Sequence, residues 1–176
     1  MPVRLIFVLL VAMAELAYAA DQIGEEYQIK GAYLLNFVKF VDWPEQAFKG
    51  PADPIAICIL GENPFGPGLE QAAKAIAVSG RRVSVRQVPT AKQACQCHVV
   101  FVSAKETKLS RELLSLVHDE SVLSVGESAG FASSGGVIGF RLEGEKIRIE
   151  ISVAAADKAK LHISAKLMSL AQTSKK

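Results

Sequence analysis

Two thiols and an imidazole stand within four residues at Cys95-Gln96-Cys97-His98, and a third cysteine, Cys58, lies farther up the chain. Such a group invites three chemistries: metal binding, nucleophilic catalysis and disulfide formation. A structural zinc site takes four N or S ligands, usually in paired clusters, and no second cluster accompanies this one. The spacing also differs from the C-x-x-C-H of haem attachment. The chain is therefore read without a metal or cofactor. Catalysis fares no better. Neighbouring residues of a strand point to opposite faces, so Cys97 and His98 are poorly placed to act as a dyad. Ser103 follows an apolar run, a good position for a site, but no G-x-S-x-G surrounds it. His98 opens an apolar strand and reads as a structural histidine. His118 sits where a helix should end, near the negative pole of its dipole, and His162 is isolated in the tail. No set of nucleophile, base and orienting acid emerges. The sequence reads as a binding protein, not an enzyme.

Disulfide formation depends on the compartment. Met1 to Arg4 is positive, Leu5 to Ala14 is apolar, and Ala17-Tyr18-Ala19 is an A-x-A site. Residues 1–19 read as a signal peptide cleaved before Ala20. Residues 20–176 then form a single exported domain, long enough for a proper core. A bacterial periplasm fits best, because the sequence has no N-x-S/T acceptor and no stop-transfer segment. Three cysteines in such a compartment imply one disulfide and one spare thiol. Cys58 lies inside the apolar run Ile55 to Leu60. Cys97 begins a second run, and Cys95 lies in the loop before it. If the two runs are near each other in a sheet, Cys58–Cys97 meets the usual Cα separation of about 4.4–6.8 Å. Cys58–Cys95 competes with it, and buried free thiols packing as small apolar residues are a third reading.

A glycine-rich loop is the other candidate site. Gly61-Glu62-Asn63-Pro64-Phe65-Gly66-Pro67-Gly68 follows a strand and opens a helix. Ligands of open α/β sheets bind beyond the carboxyl ends of strands, so Gly61, Asn63, Gly66 and Gly68 form a possible small-ligand loop. The plainer reading is a rigid turn. The spacing is neither G-x-G-x-x-G nor a P-loop, and two prolines remove backbone donors. A net charge of +2 is too mild to imply nucleic acid.

These residues must be positioned by the elements around them. Tyr27 to Pro44 is apolar on more than one face: Tyr27, Leu34, Phe37, Val38 and Val41 recur at helical spacing, and Ile29, Tyr33 and Phe40 widen the stripe. It is too short and too polar to span a bilayer. Such a helix is buried on two sides, one of which can meet a partner. Trp43-Pro44 is expected to end it, since a residue before proline disfavours helix. Apolar runs at Ile55–Leu60, Val83–Val88, His98–Ser103 and Val122–Val125 then alternate with helices at Leu69–Val78, Thr90–Gln96 and Glu106–His118. Unalternating runs separated by helices indicate parallel strands covered on both faces. Val137–Glu143 and Lys146–Ser152 alternate around Gly144-Glu145, which predicts an antiparallel hairpin. Its register sets Leu142 against Ile147, Phe140 against Ile149 and Ile138 against Ile151. The opposite face is wet, with Arg141 facing Arg148 and Glu150 diagonal to Arg141. The tail reads as two short helices flanking Leu161-His162-Ile163, with Ser164 capping the second. The expected fold is an open three-layer α/β sandwich: a mostly parallel sheet with a C-terminal antiparallel hairpin.

The segments YQIKGAYLLNFVKFVDWP (27–44), ICILGENPFG (57–66), RRVSVR (81–86), CHVVFVS (97–103) and FASSGGVIGF (131–140), with 147–151 and 161–171, together resemble the YfiR-like family of periplasmic proteins. The resemblance implies a regulator that represses a membrane diguanylate cyclase, or a kinase, by binding its periplasmic sensor region. Repression would lower cyclic di-GMP. It also implies capture by an OmpA-like outer-membrane lipoprotein, and a homodimer. It matches Cys58 and Cys97 to the family's cysteines and leaves Cys95 as a departure. The possible partner surface comprises Tyr33, Phe37, Phe40 and Trp43 on and after the first helix, with Arg141 and Arg148 on the hairpin. The alternative is a periplasmic small-ligand module feeding a histidine kinase or another envelope system.

Overall fold

The computed structural model describes residues 24–144 and 146–172. The expected signal segment and its cleavage site lie outside the described residues. The chain folds as a mixed α/β protein. Helix α1 covers residues 24–40. It is followed by β1 (Val41–Asp42), a 3-10 turn, β2 (Ile55–Leu60), α2 (Gly68–Ala73), β3 (Ala77–Val78), β4 (Arg81–Val88), α3 (Ala91–Ala94), β5 (Val99–Val102) and α4 (Thr107–Val117). Then come β6 (Leu123–Gly126), β7 (Ile138–Glu143), β8 (Lys146–Ile151), α5 (Val153–Lys158), β9 (His162–Ile163) and α6 (Ala165–Gln172).

The main sheet has seven strands in the order β3-β4-β2-β5-β6-β7-β8. β4, β2, β5, β6 and β7 run parallel, while β3 and β8 are antiparallel to their neighbours. The period of two along each strand sends alternate side chains to opposite faces. Ile55, Ile57 and Ile59 therefore join Val99 and Phe101 in one buried cluster, under Leu34, Phe37 and Val38 of α1. Cys58, Leu60, Val100 and Val102 join a second cluster with Ala91, Ala94, Leu113 and Val117 of α3 and α4.

The hairpin forms in the expected register: Ile138 faces Ile151, Phe140 faces Ile149, Arg141 faces Arg148 and Leu142 faces Ile147. The Thr90 and Ser164 hydroxyls cap α3 and α6, accepting from the Gln93 and Leu167 amides.

Two boundaries differ from expectation. α1 ends at residue 40, before Trp43-Pro44, because Val41 and Asp42 leave the helix to pair with Ile163 and His162. The Ser164 amide donates to the Phe40 carbonyl, 2.9 Å, satisfying one of the helix's last acceptors. α2 stops at Ala73 instead of running to Val78, because Ala77 and Val78 form β3 against Arg82 and Arg81. The turn between them is left-handed at both Ser79 and Gly80, the geometry a tight hairpin needs.

Candidate interaction site

α1 lies over the sheet and is pinned at each end. At its N-terminal end a buried polar cluster forms around Glu127, the first residue after β6. One carboxylate oxygen of Glu127 accepts from the Tyr27 hydroxyl (2.8 Å) and from the Ala104 amide (3.1 Å). The other accepts from the Lys30 ammonium, which also contacts Glu26 one turn back. The Lys30 and Glu127 side chains are 6% and 7% exposed, so this is a buried ion pair with its remaining lone pairs satisfied. Burial, then the hydrogen bond to Glu127, push the Tyr27 hydroxyl far above its ordinary pKa. Sequence reasoning missed Glu127 altogether. The signal was Lys30: a lysine four residues before Leu34 on the apolar stripe needs a buried carboxylate.

From this cluster a chain of aromatic rings crosses the α1 face. Tyr27 meets Phe65 edge-on at 5.5 Å, and Phe65 meets Phe101 at 4.8 Å. Phe140 contacts Phe37 at 5.9 Å and Tyr33 at 6.0 Å. Beside Tyr27 and Phe65, an apolar groove of about 250 Å³ runs between α1 and α2, floored by Leu35, Leu69 and Ala72.

Phe37 is completely buried in this arrangement. The expectation that it belongs to a partner surface is therefore corrected: it is a core ring, stacked between Tyr33 and Phe140. Tyr33, Phe40 and Trp43 are half-buried. Phe40 lies under the Lys166 ammonium at 5.0 Å. Trp43 donates to the His98 carbonyl, 3.3 Å, and packs edge-on against the His98 ring. The large apolar side chains left exposed include Ile29 (43%) on α1 and Leu142 (55%) on the hairpin. Ile29 is one helical turn before Tyr33, and Leu142 is the next same-face residue after Phe140. The first turn of α1 is tied through Tyr27 to Glu127, at the carboxyl end of β6, and β7 runs parallel to β6. Both exposed residues thus extend toward the same end of the sheet.

On the other side of the hairpin, Arg141 bonds Glu143 at 2.6 Å and Glu150 at 3.4 Å, and Arg148 bonds Glu143 at 3.1 Å. Arg141 and Arg148 thus belong to a partly exposed lattice of four charges, on the face away from Tyr33 and Phe40.

The Gly61–Gly68 loop sits at the carboxyl end of β2. Its donors are largely engaged within the protein. The Glu62 amide bonds the Glu106 carboxylate, the Phe65 amide bonds the Asn63 side chain, and the Gly61 amide bonds the Val88 carbonyl. Gly61 has φ +83°, and a Cβ there would collide with the Glu106 carboxyl, so only glycine fits. Gly66 is also left-handed, while Gly68 begins α2. Ser103, at the end of neighbouring β5, carries a buried hydroxyl without a partner.

The thiols lie in the opposite cluster. Cys58 and Cys97 form a disulfide with a Cα separation of 6.0 Å, and Cys95 is free. This settles the three open readings. The Arg86 guanidinium donates to both sulfurs, at 3.2 and 3.3 Å. Cys95 is half-buried, and burial raises its thiol pKa. His98 accepts at Nδ1 from the Ala56 amide, 3.1 Å, and reaches the Ala47 carbonyl through Nε2, 3.2 Å. A carbonyl requires a donor, so Nε2 carries the proton and the ring is neutral. Burial lowers its pKa. Among the described residues, no group of three metal-capable side chains occurs and no helix is long and apolar enough to cross a membrane.

Residues 27–172 match the model of the YfiR/HmsC-like family. The chain belongs to that family. The matched stretch begins at Tyr27 and so takes in the Glu127 cluster, the disulfide, the hairpin and the last helix. No curated protein matches the chain. Membership of the YfiR/HmsC-like family is consistent with a periplasmic regulator rather than an enzyme.

Proposed function

We propose that this protein is a periplasmic repressor of a membrane-bound signalling protein, and that its target is the periplasmic sensor region of a diguanylate cyclase. Occupancy is the mechanism. A regulator that binds the inactive arrangement of the sensor more tightly shifts the equilibrium by that difference in affinity, and cyclic di-GMP falls. An OmpA-like outer-membrane lipoprotein that competes for the regulator then releases the sensor. The observation that carries this reading, beside the family match, is the exposure of Ile29 and Leu142 around the half-buried Tyr33. Exposed apolar groups suit a protein partner.

The test is recovery of the tagged protein from the periplasm with crosslinking and mass spectrometry. A diguanylate cyclase is expected among the products. Aspartate at Ile29 or Leu142 should abolish its recovery and raise cellular cyclic di-GMP, with folding stability changed by about 0.5 kcal/mol or less. Unchanged recovery with both variants would refute the assignment of this face.

A small-ligand module is the second reading, favoured by the unpartnered Ser103 hydroxyl near the Gly61–Gly68 loop. A thermal shift with nucleotides, amino acids or organic anions supports it, and no shift with any of them removes it.

A further inference from the structure

A cleft of about 300 Å³ opens between the last turn of α4 and α5, walled by the turn 132–135 that leads into β7. None of its lining residues belongs to α1 or to the Gly61–Gly68 loop. Four of them, Val117, Val122, Val137 and Ala159, are buried and give it an apolar floor. Ser133, Ser134 and Lys158 are exposed and give it a polar rim. The wall is held in place by Phe131, which is buried. A Cβ at either Gly126 or Gly136 would collide with its ring, so the two glycines make room for it. The turn spends its backbone donors internally: the Ser134, Gly135 and Gly136 amides bond the Gly130, Ala132 and Phe131 carbonyls. What it has left to offer are the hydroxyls of Ser133 and Ser134, neither bonded among the described residues.

Ser124 lines the same cleft while only 1% exposed. Its oxygen accepts from the Val137 amide, 3.0 Å, but among the described residues nothing takes its proton. A buried donor without an acceptor is costly, so the cleft calls for an acceptor there. The Lys158 ammonium has no ion pair among the described residues. His118, also on the lining, is engaged by the Asp119 carboxylate at 2.7 Å. We infer that this cleft binds a small organic monocarboxylate with a compact apolar body. The carboxylate meets the Lys158 ammonium and the serine hydroxyls, and hydrogen bonds to an ionised acceptor are the strong ones. The body covers the valine floor.

Each part of the lining excludes a competitor. No aspartate or glutamate lines the cleft, so a cationic ligand finds no counter-ion. A phosphate would bring nearly two negative charges to one ammonium, and no arginine lines the cleft to hold it by a bidentate pair. A volume at the lower end of the small-ligand range suits a single ring or a short branched chain, not a nucleotide. An apolar floor with a few convergent polar groups is the usual make-up of such a site. The inference rests on neither the regulatory reading of the α1 face nor the Gly61–Gly68 loop, so each can fail alone.

Titration of the purified protein with benzoate and with 3-methylbutanoate, followed by amide NMR, tests the inference. Benzyl alcohol and inorganic phosphate serve as the neutral and the dianionic controls. At least one carboxylate should saturate the protein with a dissociation constant of about 1 mM or below. The amides of Ser133, Ser134, Gly135 and Lys158 should shift, and those of Gly61–Gly68 should not. Lys158→Met should weaken binding at least about tenfold, and Ser133→Ala about fivefold. Both residues are exposed, so neither change should disturb folding. No saturation by either carboxylate, or binding that both variants leave unchanged, would overturn the proposal. So would benzyl alcohol binding as well as benzoate, phosphate binding more tightly than either carboxylate, or shifts centred on Gly61–Gly68.

Discussion

Replacing Lys30 by methionine is the sharpest test of how α1 is held. Methionine matches the stem of lysine and removes only the ammonium. The Glu127 carboxylate would keep its bonds from Tyr27 and the Ala104 amide but lose its cation while 7% exposed. Breaking a buried pair by removing one partner costs about 3–5 kcal/mol, because a charge is left uncompensated in a poor solvent for charge. The two hydrogen bonds that survive soften this, so we expect a loss near the lower end, about 3 kcal/mol. Urea unfolding followed by circular dichroism would show it as a lower midpoint at unchanged slope. Tyr27→Phe keeps the ring against Phe65 and removes one hydrogen bond to a charged group, about 1.5–3 kcal/mol. The two effects should not add, because both residues act on one carboxylate. A Lys30→Met loss below about 1 kcal/mol would mean that the pair is solvated and behaves as a surface salt bridge, and the reasoning would fail.

Two further predictions concern the opposite cluster and the loop after α1. The Cys58–Cys97 bridge closes a sequence separation of 39 residues; chain-entropy scaling gives about 3–4 kcal/mol for such a loop. Cys58→Ser should lose that amount, and peptide mapping without reductant should find Cys95 alone carrying a free thiol; a labelled Cys58 would contradict the bridge. Burial depresses the His98 pKa in the folded protein, so the unfolded chain binds the proton first as pH falls. Stability should be complete above the unfolded value of about 6.5 and decline as pH drops from there toward the depressed folded value. His98→Asn should flatten that part of the pH profile, and an equal slope in the variant would assign the effect to other groups.

What could be read from the sequence had a local signature. The hairpin register followed from strict alternation around Gly144, and the parallel strands from short apolar runs between helices. β1 and β9 are two residues each and lie about 120 residues apart. Nothing near Val41 announces His162, so the end of α1 was misplaced. β3 was hidden inside a stretch with good helix formers, Ala72 to Ala77, because pairing with Arg81 and Arg82 overrides local preference. Phe37 was assigned to a surface because periodicity shows which residues are apolar but not which of two apolar faces is covered. Glu127 is a single acid in a loop, and its role comes from Tyr27 and Lys30 folding back over nearly a hundred residues.

The way α1 is fastened bears on how release can work. Its start is tied to the sheet end by Lys30 and Tyr27 through Glu127, its middle by Phe37 against Phe140, and its end by β1 pairing with β9. Opening the helix would break a buried ion pair and expose Leu34, Phe37 and Val38, all without measurable exposure in the folded state. Burial of each such side chain is worth about 1.5–3 kcal/mol, so the open state is too rare to serve as a signal. On the proposed reading, Ile29 and Leu142 are therefore presented to a partner ready-made, and a preformed surface changes little on binding. Under the proposed function, control of the partner then comes from competition for these residues. A competing protein should displace the partner in proportion to its own affinity while leaving the protection of α1 amides unchanged. Loss of that protection during displacement would show that the helix opens after all.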